Sequence, residues 1–197
     1  MVNAIGLSFD EVMQGGFSMG TTDPLTGEKQ GNAQNTRLVM KAAVSIADLD
    51  RFIADPQHTG SISGTIDFAP LGMGLLSNSG VFKLFSPGNP PSVKWMIYEL
   101  GFLQAGKPYY LAGKKIIPKE SGAGLLPETT TLYAQLHEGN DSTGAILAAG
   151  TLHLGAPELA ELLETIRTSN TASTYESVQA VATFLKFFLG ELWHSFL

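Results

Sequence analysis

Val93-Lys94-Trp95-Met96-Ile97-Tyr98-Glu99-Leu100-Gly101-Phe102 is the stretch whose reading decides the fold. Side chains alternate across a strand, so Met96, Tyr98, Leu100 and Phe102 share one face and Val93, Trp95 and Ile97 the other. Both faces are largely apolar, and such a strand has to be covered on both sides. Its neighbours read the same way. Val81-Phe82-Lys83-Leu84-Phe85 precedes it across a Pro/Gly/Asn break, and Tyr109-Tyr110-Leu111 follows a turn at Gly106. β-branched and aromatic runs bounded by turn residues predict three strands in series within residues 79–117.

Outward from this centre, residues 11–20 predict a Gly-weakened strand with Phe17 and Met19 on one face. Residues 21–35, rich in Gly, Thr, Asn and Gln, read as a polar loop with a turn at Asp23-Pro24. Residues 37–45 alternate Leu38, Met40, Ala42 and Val44 with Arg37, Lys41 and Ser45, as a half-buried strand does. A short helix is expected from Ser45. Ser45-x-x-Asp48 would be its capping box, Ile46, Leu49, Phe52 and Ile53 its apolar stripe, and Asp55-Pro56 its stop. Residues 61–68 alternate most cleanly of all. Residues 70–78 and 118–127 read as loops, and residues 129–137 and 145–154 as strands joined near Gly139-Asn140-Asp141.

Helices come last. Pro157 opens one that carries Leu159, Leu162, Leu163 and Ile166. Ser173-x-x-Glu176 caps a second, with Val178, Val181, Leu185, Phe188, Leu192 and Phe196 spaced alternately by three and four. The back of the central strand, at Trp95 and Ile97, is the expected seat of that helix. Roughly eight strands with connections too short for crossover helices predict a mainly β, antiparallel barrel. It is calycin- or lipocalin-like, with a short helix after the second strand and two C-terminal helices packed outside. One domain covers residues 1–197, its helical segment being 156–197. A two-layer sandwich is the alternative closure.

Hydrophobic residues make up 44% and charged ones 15%, an ordinary globular balance. The net charge is −6 and no basic cluster exceeds Lys114-Lys115, which excludes a nucleic-acid face. The absence of cysteine excludes disulfides and thiolate chemistry. The N-terminal residues lack the pattern of a signal peptide, and no apolar run is long enough for a membrane span. A soluble, cytoplasmic protein is expected.

No motif for a catalytic nucleophile, a metal or a cofactor stands out. The histidines His58, His137, His153 and His194 form no H-x-x-x-H pair, and neither a nucleophile elbow nor a P-loop occurs. His137-Glu138 could join Glu99 or Asp67 as an acid/base pair, although a wet strand-end cluster accounts for them as well. Aromatic walls with polar tips are what small-molecule sites look like. On that ground Trp95, Tyr98, Phe102, Tyr109 and Tyr133 could line a barrel cavity, the alternative being that they fill the core; the candidate ligand-binding residues are Met96, Tyr98, Phe102, Tyr109, Tyr133 and His153.

Several segments together carry a family resemblance. They are Asp48-Leu49-Asp50 with Asp55-Pro56-Gln57-His58, Gly64-Thr65-Ile66, Gly80-Val81-Phe82-Lys83-Leu84-Phe85 and Met96-x-Tyr98-x-Leu100-x-Phe102. Thr129-Thr130-Thr131-Leu132-Tyr133 and Phe187-Phe188-Leu189-Gly190-Glu191-Leu192-Trp193 complete the set. Over residues 16–196 the chain resembles the β-rich accessory domains beside, or fused to, glucose–methanol–choline (GMC) flavoprotein oxidoreductases of the cholesterol-oxidase-like branch. The resemblance implies a domain without catalytic residues or cofactor of its own, the flavin machinery belonging to the oxidoreductase partner.

Three readings follow. The first is a non-catalytic binding module for an apolar or lipid-like small molecule, or one serving such an oxidoreductase. The second is a structural or interaction protein whose barrel is filled and whose C-terminal helix or strand edge mates with a partner or a second copy, as in a homo-oligomer. The third is an enzyme using His137, Glu138 and Glu99.

Overall fold

Eight antiparallel strands succeed one another around a closed ring in the computed structural model, which describes residues 4–118 and 129–194. They are β1 (Gly6–Met19), β2 (Arg37–Ile46), β3 (Thr59–Phe68), β4 (Gly72–Pro87), β5 (Val93–Gln104), β6 (Lys107–Pro118), β7 (Thr131–Glu138) and β8 (Ile146–His153). Each pairs with its neighbour in the chain, and β1 closes the ring by pairing with both β2 and β8. The expected barrel is therefore the fold, and the sandwich is set aside. Alternation does the sorting: Met40, Ala42 and Val44 on β2, Met96, Tyr98 and Leu100 on β5, and Leu132, Ala134 and Leu136 on β7 all point inward and are buried.

β1 outruns its edge with β8, so the free part of that edge needs other partners. A three-residue strand, β9 (Arg167–Ser169), pairs with Gly6, Leu7 and Ser8. Between β9 and β8, the Asp10 amide donates to Thr165 Oγ1 at 2.9 Å, at the end of helix α3 (Ala156–Thr165). Leu159, Leu162 and Ile166 pack against the core, while Leu163 faces solvent.

Four local readings change. Residues 21–35 are not a loop throughout, because Pro24–Gln34 form helix α1. Asp23 caps it by accepting from the Thr26 amide at 2.7 Å, Pro24 starts it, and Asn35 ends it in the left-handed region. No apolar stripe announces this helix, since its buried face is Gly27 and Gly31. A Cβ at Gly27 would stand 1.9 Å from the Ala149 carbonyl, and one at Gly31 2.2 Å from the Phe17 amide nitrogen. Helix backbone rests directly on strand backbone. The short helix, α2 (Leu49–Ala54), starts later than expected, with Asp48 alone as its cap and Ser45 still in β2. Residues 72–78, expected in a loop, belong to β4, where Leu75 and Ser77 point inward. Of the expected connection 118–127, Pro118 ends β6 and the rest lies outside the described residues.

The fourth change concerns the long terminal helix, α4 (Thr174–His194). It sits across one mouth of the barrel rather than along Trp95 and Ile97. Phe184 meets Phe9 (ring centroids 6.0 Å apart), and Phe187 meets Phe52, His58 and Phe85. Phe85 reaches it because β4 carries one extra residue between Lys83 and Ser86, with Phe85 itself at φ 51°. Trp95 is covered instead by the Lys114 ammonium, 4.5 Å from its ring. The Ser173 cap is present: its hydroxyl accepts from the Glu176 amide at 3.2 Å. The side chains of Leu192, Trp193 and Phe196, placed on or beside this helix's stripe by the sequence, lie outside the described residues.

The backbone-on-backbone seat of α1 has a measurable consequence. Gly27→Ala is expected to lower stability in urea by about 1–3 kcal/mol through overpacking. Gly190→Ala, which meets open space on α4, is expected to raise it by up to about 1 kcal/mol. Equal effects at the two positions would contradict the packing.

Candidate functional site

Inside the ring, strand parity brings three polar groups together. Glu11 shares the inward face of β1 with Phe9 and Met13, Lys115 that of β6 with Leu111 and Ile117, and Tyr98 that of β5 with Met96 and Leu100. The Tyr98 hydroxyl donates to Glu11 Oε2 at 2.8 Å, and the Lys115 ammonium donates to Glu11 Oε1, also at 2.8 Å. The same ammonium lies 4.8 Å from the centre of the Tyr98 ring. Glu11 and Lys115 are each 2% exposed. Small inward residues make room for the three heads. Glu11 neighbours Ala42, Ala42 neighbours Gly64, Gly64 neighbours Ser77, and Tyr98 neighbours Gly113.

β1 and β5 stand four places apart in a ring of eight, so the Glu11–Tyr98 bond runs across the full width of the lumen. Phe9 reaches Phe82 and Phe17 reaches Phe68 by edge-to-face contacts at other levels. At this level the interior is occupied by the protein's own side chains. Burial, then the Glu11 charge and hydrogen bond, hold the Tyr98 phenol well above its ordinary pKa. Both carboxylate oxygens are engaged, and the three groups are buried from solvent.

The six residues expected to line one cavity divide. Met96 and Tyr98 lie within the barrel, and Phe102 stacks on Tyr109 with centroids 5.8 Å apart. Tyr133 points to the outer wall of β7, opposite in parity to Leu132 and Ala134. His153 is also outside, where Nε2 meets Glu28 Oε1 of α1 at 2.8 Å and Nδ1 meets Thr131 Oγ1 at 3.3 Å. This cluster ties α1 to the barrel, assisted by the Gln135 amide donating to the Thr22 carbonyl at 2.7 Å.

The acid/base candidates divide, Asp67 standing apart from Glu99 and His137, which both adjoin Tyr110. Asp67 accepts from the Gly74 amide at 2.6 Å and from Lys41 at 3.0 Å; those contacts, the amide first, hold its carboxyl below the usual range. Glu99 accepts from the Tyr110 hydroxyl at 2.8 Å, and burial followed by that bond pushes the phenol of Tyr110 up. His137 stands opposite Tyr110 in the β6–β7 register, and Glu138 opposite Tyr109 at the exposed strand end. Among the described residues no group of three or more His, Asp or Glu is arranged to hold a metal ion, and no helix is long and apolar enough to cross a membrane.

Glu11, Lys115 and Glu28 were not singled out from the sequence. For the first two a signal exists: each is a charge placed at the inward parity of an otherwise apolar strand. Comparison with protein-family models, with curated proteins and with solved structures finds no match to this chain. Nothing in those comparisons links it to the GMC oxidoreductases.

Removing one member of a buried ion pair leaves the other uncompensated. Lys115→Met is therefore expected to cost about 3–5 kcal/mol in urea unfolding, and the double change Glu11→Leu with Lys115→Met to recover most of it. A cost below about 1 kcal/mol for the single variant would count against the buried pair.

The raised pKa of Tyr98 sets a second outcome. Below about pH 10 this phenol is protonated both folded and unfolded, and its contribution does not vary. Above that, only the unfolded chain loses the proton, so stability falls as pH rises. A pH series of urea midpoints should show a shallower alkaline fall in Tyr98→Phe than in the wild type; parallel curves would refute the assignment.

Proposed function

We propose that this protein is a non-catalytic assembly module, a barrel filled by its own side chains that joins a second copy through the outward face of α4. The observation that carries this reading is that α4 is apolar on two opposite faces. One face, with Ala180, Phe184 and Phe187, is docked on the barrel. On the other, Tyr175, Val178, Ala182 and Leu189 follow at intervals of three, four and seven residues, which keeps them on one side of a helix. Tyr175 is 70% exposed, Val178 62% and Leu189 61%.

Such spacing is what helix–helix packing uses. The stripe also suits its own copy. Small Ala182 lies near its middle, with Leu189 towards one end and Tyr175 and Val178 towards the other. In an antiparallel pair about a two-fold axis near Ala182, Leu189 of each chain would meet the Tyr175–Val178 end of the other, the self-complementary arrangement of an isologous dimer. The Glu11–Tyr98 bond across the lumen speaks against an apolar guest there.

Sedimentation equilibrium at micromolar concentration tests the reading. A dimer is expected for the wild type, and a monomer with unchanged far-ultraviolet circular dichroism for Val178→Glu and Leu189→Glu. A wild-type monomer throughout, or a dimer that neither change disturbs, would refute it.

A further inference from the structure

Beside the outward stripe of α4, a groove of about 370 Å3 runs between α4 and α2 and is lined by residues that include Asp48, Asp50, Arg51, Glu176, Gln179 and Thr183. Three carboxylates against one guanidinium make it acidic. Two of the three serve helix starts: Asp48 accepts from the Arg51 amide at 3.0 Å, and Glu176 from the Ala172 amide at 2.6 Å. The third, Asp50, is exposed in the first turn of α2, and its carboxylate has no partner among the described residues.

One cation on α4 is unpaired as well. Lys186 is exposed and belongs to none of the ion pairs among the described residues, which are Lys41–Asp67, Lys94–Glu191, Lys115–Glu11 and His153–Glu28. Along its own helix it stands about two turns beyond Gln179.

The α4 pairing proposed above brings the two together, and the inference rests on that pairing. About a two-fold axis near Ala182, a residue four places beyond Ala182 in one copy comes level with the residue four places before it in the other. Lys186 therefore reaches the level of Val178, next to Gln179. A two-fold perpendicular to both helices also keeps matching flanks of the two copies on the same side. At about 100° per residue, Lys186 leans to the flank of α4 that carries Gln179, Thr183 and Glu176, which is the flank of the groove.

We propose that Lys186 of each copy docks its ammonium in the acidic groove of the other, with Asp50 as its main acceptor, and thereby fixes the antiparallel orientation. By symmetry the contact forms twice in each dimer. A parallel pair would instead set the two Lys186 side chains level with each other, like charges together, and leave both grooves without a cation.

Charge exchange at these two exposed positions, followed by sedimentation equilibrium of the full chain, tests the contact. Lys186→Glu and Asp50→Lys are each expected to weaken the dimer roughly tenfold, and the two changes together to restore most of that loss. Recovery in the double variant separates a lost contact from a damaged fold. Added salt should weaken the wild-type dimer more steeply than that of Lys186→Met. A wild-type dimer that Val178→Glu dissociates and Lys186→Glu leaves unchanged would overturn the contact while the α4 pairing stands. A double variant no tighter than its singles would overturn it too, and a wild-type monomer would remove the pairing and the contact together.

Discussion

The fold turns on a contact that crosses the barrel from wall to wall. Glu11 accepts from Tyr98 on the diametrically opposite strand and from Lys115 beside it, and none of the three can be satisfied by water where it lies. In a low-dielectric interior such a set must be complete, because any member left alone bears its full desolvation cost. It therefore fixes how β1, β5 and β6 face one another. A one-residue slip in any of them would turn its charged or phenolic group out of the lumen and an outward residue in.

The same contact decides where function can reside. A barrel of this size has room for side chains or for one small ligand, and here side chains take that room at the level of Glu11. Contacts with other molecules then belong on the exterior. The second apolar stripe of α4, opposite the aromatic face that closes the barrel mouth, is exposed there. It is apolar and elongated, suited to another helix.

Much of the barrel was legible because half-buried strands leave a period of two in the sequence, as in β2, β3 and β5. What escaped did so for physical reasons. Helix α1 buries glycines instead of an apolar stripe, and its contacts are backbone approach, His153–Glu28 and Gln135–Thr22, none of which has a periodic trace. The first half of β4 was hidden by Gly72 and Gly74 and by the exposed Met73 and Leu76. The seat of α4 depends on the Phe85 bulge and on α2, both set by tertiary contacts. The lumen network was least legible: Glu11 and Lys115 are 104 positions apart, and only barrel closure brings them together. Once the strands are phased, however, a lone charge on an inward face is a sign of a buried partner.

A crystal structure of the protein purified without added ligands, at a resolution that shows individual side-chain atoms, tests the filled lumen most directly. A Glu11 carboxylate bonded to Tyr98 and Lys115, with no density between β1 and β5 other than their own side chains, is the expected result. A guest molecule lying between Glu11 and Tyr98 and holding them apart would contradict it.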